Sequence, residues 1–153
     1  MRRPGRMKIE TLPRCEGFME KASVSLLVTS PSMSLTELSS KLGRSPSSGS
    51  HNKGDVSAGA KLGKPPWPAT VWRFDSDAPE TAPVEQHLER LEIQFPAAAL
   101  KRVLPSGCDV SVDIALYFDT VNVSATIPHR GIEIIDAYGA KLEVTCYPST
   151  FES

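Results

Sequence analysis

Residues 109–118 read D-V-S-V-D-I-A-L-Y-F, and their reading decides the fold. Val110, Val112, Ile114, Leu116 and Phe118 fall on one side of an extended chain, with Ser111, Asp113, Ala115 and Tyr117 on the other. A period of two is the signature of a strand, because successive side chains point to opposite faces. One face then packs on a core while the other lies near water, which is how antiparallel sheets are usually built. Asp109 and Asp113 are about 13 Å apart at strand rise, too far for a paired-carboxylate retaining site, so they read as solvated charges.

The same period recurs on both sides. Val24, Leu26 and Val28 alternate with Ser23, Ser25 and Leu27 until Ser30-Pro31 ends the run, and Trp72 with Phe74 alternates with Arg73 and Asp75 over Val71 to Ser76. Val121, Val123, Ala125 and Ile127 read as a further short strand, with Asp119 and Thr120 at the turn before it. Lys141 to Tyr147 closes the pattern, with Leu142, Val144 and Cys146 expected inward.

Between these strands the period lengthens to that of helices. Ser34 with Glu37 is a capping box, Leu35, Leu38 and Leu42 form one apolar stripe, and Gly43 supplies a left-handed stop, which places a helix over 35–42. Val84, Leu88, Leu91 and Phe95 form a second stripe behind Pro83, with Glu85, Glu89 and Glu92 on its flank. Pro96 disfavours helix at Phe95 yet can open the next helical piece, Ala97 to Leu104. Pro128 opens a third helix, with Ile132, Ile135 and Tyr138 near helical spacing and Gly139 as its stop.

These elements predict an α+β domain over residues 22–148: a mainly antiparallel sheet of about five strands, three helices on one face, and two similar halves distantly like a ferredoxin-like arrangement. Residues 1–21 mix charges with Pro and Gly without a period and read as a loose leader, and 149–153 as a tail. Residues 43–68 form a long Gly/Ser/Pro/Lys loop ending against Trp67 and Trp72. Loops of that length are usually functional or disordered.

Charge divides along the chain. The overall value of −1 combines +3 over residues 1–21, +3 over residues 44–64 and −7 over the rest. A body so acidic is a poor platform for nucleic acid, whose binding depends on neutralising phosphates. No apolar run reaches the roughly 18–20 residues needed to span a bilayer, so no membrane association is expected. Arg2, Arg3 and Arg6 are followed by Lys8, Glu10 and Arg14 instead of the apolar segment of a signal peptide. Cys15, Cys108 and Cys146 are an odd set without C-x-x-C spacing, which argues against disulfides and zinc and for a reducing cytoplasm.

The segment S-L-T-E-L-S-S-K-L-G, the Trp72-Arg73-Phe74 strand with Ser76 after it, the V-E-Q-H-L-E-R-L helix and the closing Y-G-A-K-L-E-V-T-C-Y together resemble the bacterial domain of unknown function 4279 family over residues 22–148. The resemblance implies a small bacterial cytoplasmic protein. It brings no reaction, cofactor or functional residue with it.

No catalytic template fits. His51, His87 and His129 lack metal-ligand spacing, so neither a metal site nor a cofactor is expected. Ser48-Gly49-Ser50-His51 has the letters of a serine nucleophile without a strand-to-helix turn to strain it. Gly59 to Lys64 echoes a phosphate loop only in composition, lacking the Ser or Thr after its lysine. Two expectations remain. One is a non-enzymatic module that binds a protein partner, immunity-like in one form, through the acidic body or the basic loop with Trp67. The other is a site for a small or phosphate-bearing ligand, with Lys53, Lys61, Lys64 and Arg73 as its cations and the loop as lid. Oligomeric state is left open.

Overall fold

The computed structural model describes residues 19–56, 63–118 and 125–148. Strand β1 runs Met19–Ser30, helix α1 Leu35–Leu42 and strand β2 Thr70–Asp75. Helices α2 (Val84–Gln94) and α3 (Ala97–Val103) lead to β3 (Asp109–Phe118), then α4 (His129–Ala137) and β4 (Lys141–Pro148). The strands form one sheet in the order β2-β1-β3-β4. β1 pairs antiparallel with β2 and β3, and β3 pairs parallel with β4.

The α+β expectation therefore holds, with corrections. Among the described residues the sheet has four strands and is mixed. Residues 121–124 of the expected fifth strand lie outside the described residues, and 125–127 are not strand. The helices among the described residues number four because Pro96 breaks the second in two: Phe95 leaves the helical region at φ −141°, ψ 84° before α3 begins. The two halves differ as well. β1 and β2 are antiparallel neighbours, whereas β3 and β4, joined through α4, are parallel. Extended structure also begins before residue 22, at Met19.

The helices lie on one face of the sheet. Ala22, Val24, Leu26 and Val28 of β1, Val110, Val112, Ile114 and Leu116 of β3, and Trp72 of β2 form a single core with Leu38, Leu42, Leu88, Leu91, Leu100, Ile134 and Tyr138. Ser34 caps α1 in both directions: its Oγ accepts from the Glu37 N–H at 3.2 Å and its own N–H donates to Glu37 Oε2 at 2.7 Å. Those bonds to Ser34 hold the Glu37 carboxyl below its ordinary pKa. Gly43 closes the helix at φ 68°. Arg44 then donates to the Gln94 carbonyl at 3.0 Å and lies 4.3 Å over the Phe95 ring, a cation placed at the C-terminus of α2.

Two inward assignments are corrected. Leu142, Val144 and Cys146 are exposed, as is all of β4, because the core packs on β1–β3 and stops short of this edge. In α4, Ile134 rather than Ile132 enters the core with Ile135 and Tyr138, and Ile132 is exposed.

His87 on α2 is buried, its Nδ1 3.1 Å from Ser76 Oγ and its Nε2 without a partner among the described residues. Burial pushes its pKa down, against a smaller upward pull from the Pro79 carbonyl. The folded state thus binds a proton less readily than the unfolded chain, so stability present above the ordinary value of about 6.5 is lost as the pH falls below it. Thermal melts between pH 7.5 and 5 should show a steeper loss for the native chain than for His87→Gln. Equal slopes would remove His87 as the cause.

Candidate functional site

The open face of the sheet carries the polar residues of the alternating pattern. Across it run Asp75 of β2, Ser25 of β1, Asp113 of β3 and Glu143 of β4, each opposite its neighbour, and on the next row Arg73, Leu27, Ser111 and Lys141. Toward the other end lie Lys21, Tyr117 and Tyr147, the two tyrosine rings stacked at 5.1 Å.

β2 stops at Asp75 opposite Ser25, while β1 continues back to Met19. The chain leaving β2 turns across the uncovered end, with the Ser76 N–H donating to the Val24 carbonyl at 3.0 Å and the Ala22 N–H to the Glu80 carbonyl at 2.8 Å. A hollow of about 540 Å³ results, lined by Lys21, Ala22, Ser23, Arg73, Asp75, Glu80 and Tyr117. That volume lies within the range of small-molecule sites, about 300–1,000 Å³.

Two opposite-charge pairs line it. Arg73 Nε donates to Asp75 Oδ1 at 2.7 Å, and Ser25 Oγ donates to the same oxygen at 2.6 Å. Lys21 Nζ lies 3.2 Å from Glu80 Oε2. Arg73 uses only its Nε among the described residues, so its terminal nitrogens remain as a planar donor pair for a carboxylate. Burial pushes the Asp113 carboxyl up, Arg73 pulls it down, and Glu143 and Asp75 add to the rise. Asp113 therefore gives up its proton less readily than an ordinary carboxyl.

The residues singled out in the sequence do not converge. Arg73 lines the hollow. Lys53 is elsewhere, its Nζ donating to the Pro31 carbonyl at 3.1 Å. Lys64 lies 6.0 Å over the Trp67 ring, and Trp67 stacks on His51 at 4.0 Å while staying 37% exposed, so it packs and is presented at once. Lys61 lies outside the described residues. None of the ion pairs among the described residues joins these lysines to the acidic flank of α2, where Glu92 is held instead by Arg130 at 2.7 Å. Trp72 is fully buried.

The described part of the 43–68 loop is a strap along the outer edge of β2. The Ser47 N–H donates to the Arg73 carbonyl at 2.7 Å, His51 and Val71 exchange N–H···O bonds at 3.1 and 2.9 Å, and Gly54 N–H reaches the Trp67 carbonyl at 2.8 Å. Serine hydroxyls complete the ladder: Ser47 Oγ accepts from the Asp75 N–H and Ser50 Oγ from the Arg73 N–H, both at 2.9 Å. Gly49, at φ 91°, takes the left-handed turn between them under the Arg73 side chain, where an added Cβ would meet Arg73 Cδ at 3.4 Å.

Sequence reading missed Lys21, Ser23, Asp75, Glu80 and Tyr117 as lining residues. The available signal was the outward half of the alternation, Ser23 and Tyr117, which was read only as a solvated face. Among the described residues no three His, Cys, Asp or Glu gather as metal ligands, and no helix is long and apolar enough to cross a membrane. Cys108 and Cys146 are free thiols. Neither the curated proteins nor the solved structures give a match to this chain. Residues 20–149 match the family model described as domain of unknown function 4279, and the chain belongs to that family.

Proposed function

We propose that this is a non-enzymatic binding domain whose open-face hollow seats a small zwitterionic molecule of amino-acid or dipeptide size. The observation that carries the reading is the lining itself: two pairs of opposite charge, Arg73 with Asp75 and Lys21 with Glu80, around one cavity with Tyr117. Arg73 offers its terminal nitrogens to a carboxylate, Glu80 and Asp75 face an ammonium group, and the Tyr117 ring provides an apolar surface. A phosphate-bearing ligand under a basic lid draws less support, because Lys53 and Lys64 are held away from Arg73. The odd cysteine set supports a reducing cytoplasm as the setting.

Protein recognition is the second reading. It is favoured by the half-exposed Trp67 in its run of prolines, where residues 64–68 line a separate hollow of about 170 Å³.

Thermal-shift and calorimetric titration with amino acids, dipeptides, sugar phosphates and nucleotides tests the first reading. Zwitterions should raise the melting midpoint, since a ligand of the native state alone stabilises it. Arg73→Gln should weaken binding at least about tenfold, the worth of one charge-assisted hydrogen bond. A silent panel, or an unchanged response in Arg73→Gln, would sink the ligand reading. A salt-sensitive protein partner captured equally by native chain and Arg73→Gln would favour the second.

A further inference from the structure

The two edges of the sheet are treated differently. The outer edge of β2 is closed by the chain's own residues 47–55, whereas β4 is exposed over all eight of its residues. Free edges are usually blunted by brevity, charge, proline or a covering segment. β4 has a lysine and a proline only at its ends, with Leu142 and Val144 on its helix side 45% and 50% exposed. An eight-residue edge offers about 27 Å of ladder at strand rise.

We propose that β4 pairs antiparallel with β4 of a second copy about a two-fold axis at Val144, joining two four-stranded sheets into one of eight strands. The strand is its own complement in this register. Each side chain must meet one on the same face, which permits dyads at single residues only, and the candidates are Glu143, Val144 and Thr145. A dyad at Glu143 sets that carboxylate opposite itself, a repulsive pair. Dyads at Val144 and Thr145 each pair seven of the eight residues, but the one at Thr145 leaves the charged Lys141 unmatched and sets Leu142 against Pro148, whereas the one at Val144 leaves out only Pro148, which has no N–H to donate. With the dyad at Val144, every residue from Lys141 to Tyr147 has a partner: Val144 meets Val144, Leu142 meets Cys146, Glu143 meets Thr145, and Lys141 meets the Tyr147 ring. No like charges stand opposite one another, and the helix-side apolar residues are brought together. Among the described residues no strand pairs with the outer side of β4, and although a foreign strand could use that edge, charge and face match identify a second copy as the occupant.

Sedimentation and light scattering from about 1 to 100 µM, the range that populates interfaces of ordinary strength, should show a doubled mass that falls on dilution. Val144→Lys and Leu142→Glu should both be monomers with unchanged circular dichroism, since each side chain is already exposed. Register is tested with all three native cysteines replaced by serine: Val144→Cys should be joined to its mate by a short bis-maleimide, and Lys141→Cys should not, its symmetry mate lying about 20 Å away. A native chain that stays monomeric throughout, a dimer indifferent to both charge substitutions, or equal cross-linking at the two positions would each overturn the proposal. Because β1 and β3 both lie between Arg73 on β2 and the edge strand β4, a dimer defect and a ligand defect are separable.

Discussion

Replacing Trp72 with alanine should lower the unfolding free energy by about 3–5 kcal/mol, the range for truncating a large buried aromatic. Trp72 is fully buried at the centre of an aromatic group, stacked on Phe74 at 5.7 Å and edge-on to Phe95 at 6.0 Å. Those contacts join β2 to the break between α2 and α3, and Arg44 closes the group from the end of α1. Truncation therefore loosens three elements at one point and leaves a cavity that packed neighbours fill only in part. Trp72→Phe should cost much less. The indole Nε1–H is buried with no partner among the described residues, so removing it relieves a polar group that gains nothing from burial. Urea denaturation of the two variants checks this, and an alanine cost below about 1 kcal/mol would show that Trp72 does not anchor the core.

The double substitution Ser47→Ala, Ser50→Ala should cost roughly 1–3 kcal/mol and open the strap to protease between Ser45 and Lys64. Each hydroxyl accepts from a β2 N–H, and Ser50 Oγ also donates to the Ser47 carbonyl at 2.8 Å, so two methyl groups remove three bonds. The lower end of the range applies if water reaches the freed N–H groups at the half-buried edge. The damage should spread to the site, because the same backbone positions carry Arg73 and Asp75. Proteolysis unchanged from the native chain, with melting also unchanged, would show that the backbone bonds at Ser47 and His51 hold the strap alone.

What could be read in the chain follows from the range of the forces involved. The alternation of β1 and β3, the Ser34–Glu37 capping box and the Gly43 stop act over a few residues, and each formed as read. The order of the loop is not legible in the sequence because it comes from partners twenty or more residues away: Ser47 and Ser50 look like linker serines until β2 lies beside them. Likewise the basic character of residues 44–64 suggested a lid, yet Arg44 and Lys53 bond to the Gln94 and Pro31 carbonyls and Lys64 lies over Trp67.

By itself, then, the sequence determined the α+β class, the inward faces of β1, β2 and β3, and the caps of α1, because hydrophobic period and capping are written in neighbouring residues. Strand order, the parallel pairing of β4 and its exposure were decided only in three dimensions, since one alternating pattern suits either direction and either edge. The hollow belongs to that second class. Lys21, Arg73, Glu80 and Tyr117 come from four separate stretches, and they meet because β2 ends at Asp75 while β1 runs on to Met19.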